Sequence, residues 1–225
     1  MTLFGVATLG ACAPAQLDLP NTLASASTRT EFAGFTGWNH GRFTAGNYAG
    51  KYERSADRLE FFETFKSQSA RAEFVVAGPE IGSTLEARCR MRERSIDTGL
   101  VEVVTKPMAY GCDFTAEGRP FPAYFELQEW QSDMFKPYER RGEIALGGEV
   151  VQIRSLHRIQ GSRLPTMAPI GYLFEQDGRP VGAVELNGKP ALIVPTGTDP
   201  GLARTLTIAA LALGVLYDPA NSIDS

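Results

Sequence analysis

The chain has 225 residues and a formal net charge of −4, with 26 acidic against 22 basic side chains. That balance argues against a general nucleic-acid binder, which needs a basic surface, and the length suffices for one domain with a full core. No run approaches the roughly 18 apolar residues of a membrane-spanning helix, and the 23 glycines and 14 prolines, spread along the chain, suit many strands joined by tight turns.

In chain order, the first element is an apolar run from Leu3 to Ala11 that ends Leu9-Gly10-Ala11-Cys12. An apolar stretch before a small-residue cleavage site has the layout of a secretory signal. Its last four residues resemble the lipobox of bacterial lipoproteins: Leu, two small residues, then cysteine. The resemblance implies cleavage between Ala11 and Cys12, lipid attachment at Cys12 and a place in the cell envelope. Ala13, rather than Asp, at the next position favours the outer membrane, facing the periplasm. No Lys or Arg precedes Cys12, so residues 1–11 read as a signal peptide truncated at its basic end. The alternative is a cytosolic chain with an apolar N-terminus and a chance Leu-Gly-Ala-Cys. Residues 12–31 are small, polar and Pro-containing. Such a segment buries too little apolar surface to offset its chain entropy, so a flexible lipid-anchored tether is expected there, with a single β-rich domain over 32–225.

From Phe32 onward the pattern is strand after strand. Leu59, Phe61 and Phe65 share one face of an alternating run, and Glu73–Val76, Leu100–Thr105, Ala123–Leu127 and Gly148–Ile159 are further β-rich stretches. In Thr84–Met91 the alternation is clean, with Leu85, Ala87, Cys89 and Met91 on one side and Glu86, Arg88 and Arg90 on the other. Tyr172–Gln176 runs into Asp177-Gly178 and returns over Val181–Leu186. Asn187-Gly188 then leads into Ala191–Val194. Both dipeptides supply the positive φ of a two-residue hairpin turn. The whole predicts an antiparallel meander.

The C-terminus breaks this pattern. Asp199-Pro200-Gly201 offers an N-cap and a proline at the first helical position, and Leu202–Tyr217 is almost wholly apolar, with Arg204 its one charge. Asp218-Pro219 would end the helix. A helix apolar on all sides must be buried on all sides. The predicted fold is therefore mainly β, a meander curled into a barrel or strongly bent sheet around a helix at about 202–217. A β-sandwich with one packed helix is the alternative. The curled sheet around an apolar C-terminal helix resembles the tubby-like fold, shared by tubby proteins and phospholipid scramblases. The similar stretches are Gly171–Glu175, Gly182–Val184 and Leu206–Leu213. The resemblance implies an architecture and a leaning toward lipid-related binding, and no catalytic residue carries over.

Two cysteines remain once Cys12 is assigned to lipid. Cys89 and Cys112 are an even pair in an oxidising compartment and lack zinc spacing. A disulfide is expected, with two buried free thiols as the alternative. Signatures of serine hydrolases, zinc proteases, P-loops and dinucleotide folds are absent. Trp38 and His40, in a Gly-flanked loop, are candidate ligand contacts. Arg88, Arg90 and Arg92 form a basic row that suits anionic headgroups, because a guanidinium fork bonds two phosphate oxygens at once. A solvated, acid-balanced face is the alternative. Glu60 with Glu63, and Glu126 with Glu129, are three apart and so on opposite faces of a strand, which counts against paired acid–base sites. The functional expectation is a non-enzymatic, lipid-anchored envelope protein with a binding or structural role. It would bind the membrane through Cys12 and an envelope protein as partner, with no cofactor, metal or nucleic acid. A lipid or small-molecule carrier using the barrel interior is the alternative, and a hydrolase using His40 or His157 ranks third.

Overall fold

The computed structural model describes residues 16–35, 39–61, 65–97, 102–133 and 136–216. Among these, a short helix α1 (Asn21–Ala24) precedes β1 (Ser27–Ala33), β2 (His40–Ala45), β3 (Tyr48–Phe61), β4 (Phe65–Ala77), β5 (Leu85–Asp97) and β6 (Glu102–Ala116). There follow β7 (Arg119–Asp133), β8 (Lys136–Leu146), β9 (Glu149–Leu156), β10 (Gly171–Gln176), β11 (Arg179–Glu185), β12 (Ala191–Pro195) and a helix α2 (Pro200–Val215). Each strand from β2 to β12 pairs antiparallel with the next, and β1 joins β12 to β2, closing a barrel.

Turn chemistry sets the meander. Asp177 and Gly178 both have positive φ (52° and 72°), the backbone of a type I′ turn whose twist matches the strands it joins. Glu117-Gly118 and Gly147-Gly148 do the same. Asn187-Gly188 departs from its expected two-residue turn: β11 ends at Glu185 and β12 starts at Ala191. Leu186 instead donates its N–H to Ile170 O at 2.9 Å, and Pro190 has no N–H to offer a ladder. The run Leu59–Phe65 is not one strand. Phe61 ends β3 and stands opposite Phe65 at the start of β4. The faces taken by Leu59, Phe61 and Phe65 lie outside the described side chains.

Helix α2 lies inside this barrel. Asp199 caps it, accepting from the N–H groups of Gly201 and Leu202, with Pro200 at the first position, the cap and first residue that the sequence offers. Every residue from Thr205 to Leu213 is buried. Its neighbours come from around the circumference. Thr205 donates to Leu146 O on β8, the Tyr110 hydroxyl on β6 donates to Ala212 O, and Leu206 lies beneath Gly182 on β11. At about 1.5 Å per residue the 16-residue helix runs about 24 Å and fills that length of the lumen with apolar side chains. Thr205 and Thr207 bond the carbonyls of Gly201 and Ala203 one turn back, so neither hydroxyl is stranded.

A second apolar layer covers β10–β12 from outside. Leu173, Ala183 and Ile193 pack there beneath Leu23, with Leu19 and Leu156 at the margin. This explains why these strands read as apolar on both faces. It also corrects the expected tether over 12–31. Leu17 bridges Ile159, Leu23 is 1% exposed, and Ser27–Glu31 pair with β12. The folded domain therefore includes at least Leu17 onward, because a few leucines (17, 19 and 23) suffice to seal a sheet face that would otherwise be wet.

Candidate functional site

The expected disulfide is present. Cys89 on β5 and Cys112 on β6 stand directly opposite, with Cα atoms 4.0 Å apart and an S–S distance of 2.08 Å. Both are buried against the core that surrounds α2. Cys12, Ala11 and Trp38 lie outside the described residues, as do Glu63 and the side chain of Glu60. Glu126 and Glu129 are on opposite faces of β7, Glu126 exposed and Glu129 buried.

The outer face of β2–β8 brings the remaining candidates together. One cross-strand row runs His40, Glu53, Glu73, Arg88 and Asp113. His40 is exposed at the start of β2 and borders a cleft of about 510 Å³ lined also by Arg42, Lys51, Glu53 and Glu73. Arg88 meets Glu73 at 3.8 Å, both exposed, so this pair is screened by water and contributes little to stability. Acids thus balance Arg88, as the solvated-face alternative expects.

Arg90 and Arg92 differ. Arg90 stands opposite Arg71 on one side and Gly111 on the other, and Arg92 opposite Ser69 and Ala109. Continuing the Arg90 row, Gly111 faces Glu126, which faces Glu143. The strip therefore reads Arg71, Arg90, Gly111, Glu126, Glu143 over five adjacent strands. Like charges directly opposite cost stability, and here two such pairs flank a bare glycine. Tyr124 donates its hydroxyl to Glu143, which raises the tyrosine pKa, and Gln152 donates to the same carboxylate at 3.4 Å. Arg141, on the row beside this strip, lies over the Trp130 ring at 4.9 Å, and Arg154 bonds Glu175.

Gly111 is not required by the fold. A Cβ there would meet only Phe125 O, at 3.4 Å, and its φ is ordinary. Gly50 and Gly142 contrast with it, since a Cβ on either would run into a main-chain carbonyl of the next strand. A mid-strand glycine without a local reason leaves room for something that approaches from outside.

His157 sits just past β9, half-buried. Its Nδ1 lies 3.0 Å from Thr166 O and its Nε2 3.0 Å from Ser155 Oγ. A carbonyl only accepts, so Nδ1 carries the proton and Nε2 accepts from the serine hydroxyl. Burial lowers the His157 pKa and Arg140 adds to this, against main-chain hydrogen bonds at Thr166 and Ala168 and the charge of Glu139. A serine bonded to a neutral histidine is half of a hydrolytic pair. Here, however, Ser155 is buried, stands opposite Tyr172 and also accepts the Arg140 N–H at 2.9 Å. Arg140, 1% exposed, donates to the Tyr172 hydroxyl at 3.3 Å and pairs in register with Glu129. The arrangement clasps the 157–170 loop to the barrel wall. Among the described residues, no group of three or more His, Cys, Asp or Glu side chains is placed to hold a metal ion, and no helix is long and apolar enough to cross a membrane.

Sequence inspection did not single out Arg71, Gly111, the Glu126–Glu143 pair or the Ser155–His157 clasp. Only the first three depend on strand register. Ser155-x-His157 is visible as an alternating pair, but nothing local shows what each side chain meets. Compared with models of known families, with curated proteins and with solved structures, the chain matches none of them.

Proposed function

We propose that this chain is a non-enzymatic, lipid-anchored protein of the bacterial cell envelope, held at the periplasmic face of the outer membrane through Cys12, that binds a protein partner on its outer face. The observation that carries the reading is the plugged lumen. A carrier built on a barrel holds its cargo in the interior, and here α2 takes that space with side chains from Thr205 to Leu213 fully enclosed. What remains for recognition is the outside, where the strip from Arg71 to Glu143 places two like-charge pairs either side of Gly111. Such a strip suits a partner with the complementary charges, because opposed potentials steer encounter and fix register. The disulfide between Cys89 and Cys112 supports an oxidising compartment. The tubby-like resemblance adds an architectural parallel to this reading and no ligand.

The test is the intact mass of the protein, expressed with its upstream coding region and extracted from membranes without reductant. The expected chain starts at Cys12, carries acyl groups and lacks the two thiol protons of Cys89 and Cys112. An unmodified chain that retains Met1 would overturn the envelope address.

A further inference from the structure

We propose that the loop between β9 and β10, residues 157–170, is a membrane-contact edge that lies on an anionic bilayer beside the anchor. The proposal rests on the lipid-anchored reading. It starts from where the chain leaves the fold. Gln160 donates its N–H to Gln16 O at 2.8 Å, Asp18 donates to Arg158 O at 2.9 Å, and Leu17 bridges Ile159. The first described residues are thus laced to this loop. Cys12 is four residues before Gln16, and four residues of fully extended chain reach about 14 Å. A lipid on Cys12 holds this loop, rather than the Asp177-Gly178 end of the barrel, at the headgroups.

The loop carries the matching chemistry. Leu164 is 79% exposed and Met167 44% exposed, while Arg158 and Arg163 are exposed beside them. Residues 157–170 contain no Asp or Glu, so the loop presents positive charge and apolar side chains together. That combination suits anionic lipid, where basic groups meet phosphate and apolar ones enter the boundary below.

The exposure of Leu164 is built rather than incidental. Ser162 Oγ accepts from the Leu164 N–H at 3.3 Å and donates to Leu164 O at 3.0 Å. Thr166 gives its N–H and hydroxyl toward His157 O, and the Tyr138 N–H on β8 holds Met167 O at 3.0 Å. The backbone either side of Leu164 is therefore fixed, and its side chain is held out in water at a hydrophobic cost that contact with lipid would remove.

The experiment uses the full chain with Cys12→Ser, which removes the anchor and so separates this proposal from the lipoprotein reading. Its binding is measured by co-sedimentation with vesicles of phosphatidylethanolamine and phosphatidylglycerol, and with vesicles of phosphatidylcholine alone. Binding to the anionic vesicles is expected, and little to the neutral ones. Arg158→Gln with Arg163→Gln should lower partitioning by about 25-fold, near fivefold per arginine, and Leu164→Asp should lower it by about tenfold or more. Leu164→Gln is the milder variant, and thermal unfolding checks that each variant is folded. Equal partitioning of the folded Leu164 variants and the parent would overturn the proposal, as would no binding to anionic vesicles. If the intact mass shows no lipid while these vesicles still bind through Leu164, the anchor reading fails and the contact edge stands.

Discussion

Replacing Leu211 with Ala tests whether α2 is gripped from every side. Leu211 is fully buried within the core cluster that the barrel strands form around the helix. Removing a buried leucine to its Cβ costs about 2–5 kcal/mol, and the spread reflects how far the surroundings collapse into the gap. A helix packed on one face of a sheet can shift to close a cavity. One enclosed by a closed ladder cannot, because moving a strand inward breaks pairing on both of its neighbours. The expected loss is therefore near the top of the range, about 4 kcal/mol. For a chain of this size that lowers the melting temperature by about 8–16 °C. In urea, the midpoint should fall with an unchanged slope. The same substitution at exposed Leu164 should shift stability by no more than about 0.5 kcal/mol. A loss below about 2 kcal/mol at Leu211 would show that the barrel wall relaxes around the helix, and the plugged-lumen argument would fail with it.

Gly111→Ala should leave the fold unharmed or raise its stability by about 0.5 kcal/mol, since the mid-strand glycine carries an entropic cost and the added Cβ meets only Phe125 O at 3.4 Å. Gly142→Ala, whose Cβ would strike the Glu126 carbonyl, should destabilise by about 1–3 kcal/mol; the two variants are compared by urea titration. Cys89→Ser with Cys112→Ser opens a loop of sequence separation 23 and should cost about 3 kcal/mol by the chain-entropy account, read as a lower denaturation midpoint. His157 has its pKa held below 6.5 by burial, so the fold favours the neutral ring. The stability it contributes is whole above pH 6.5 and is lost as pH falls from there toward the folded value, where the unfolded chain takes the proton first. The protection factor of the Thr166 amide, which bonds His157 O, taken against the intrinsic exchange rate at each pH, should fall over that window, and His157→Gln should remove that fall.

Much of the fold was legible because it follows from local chemistry. Asp199-Pro200 announced the helix start, and a stretch with one charge in sixteen residues could be stable only inside something. Asp177-Gly178 fixed a hairpin, and the Thr84–Met91 alternation put Cys89 on the inner face. From those elements alone, a curled antiparallel sheet around an apolar helix is the favoured arrangement because it covers the helix on every side, with a β-sandwich and one packed helix as the alternative. The N-terminal segment misled for the same reason that these succeeded. Its composition is that of a tether, and only the uncovered outer faces of Leu173, Ala183 and Ile193 give Leu23 somewhere to go.

Register is what the sequence by itself left undetermined. A strand pattern tells which face a residue takes, but slipping a neighbour by two residues preserves every face while changing every partner. The outward direction of Arg90, Glu126 and Glu143 follows from alternation. Whether Arg90 lies beside Arg71 or Glu73, and whether bare Gly111 separates the basic pair from the acidic one, depends on pairing between strands. The same holds for His157, a lone histidine until the 157–170 loop folds back and sets Thr166 O against its ring. Elements and their buried faces came from periodicity, a property of neighbours along the chain. The candidate surfaces came from contacts between residues far apart in sequence, which only the closed barrel brings together.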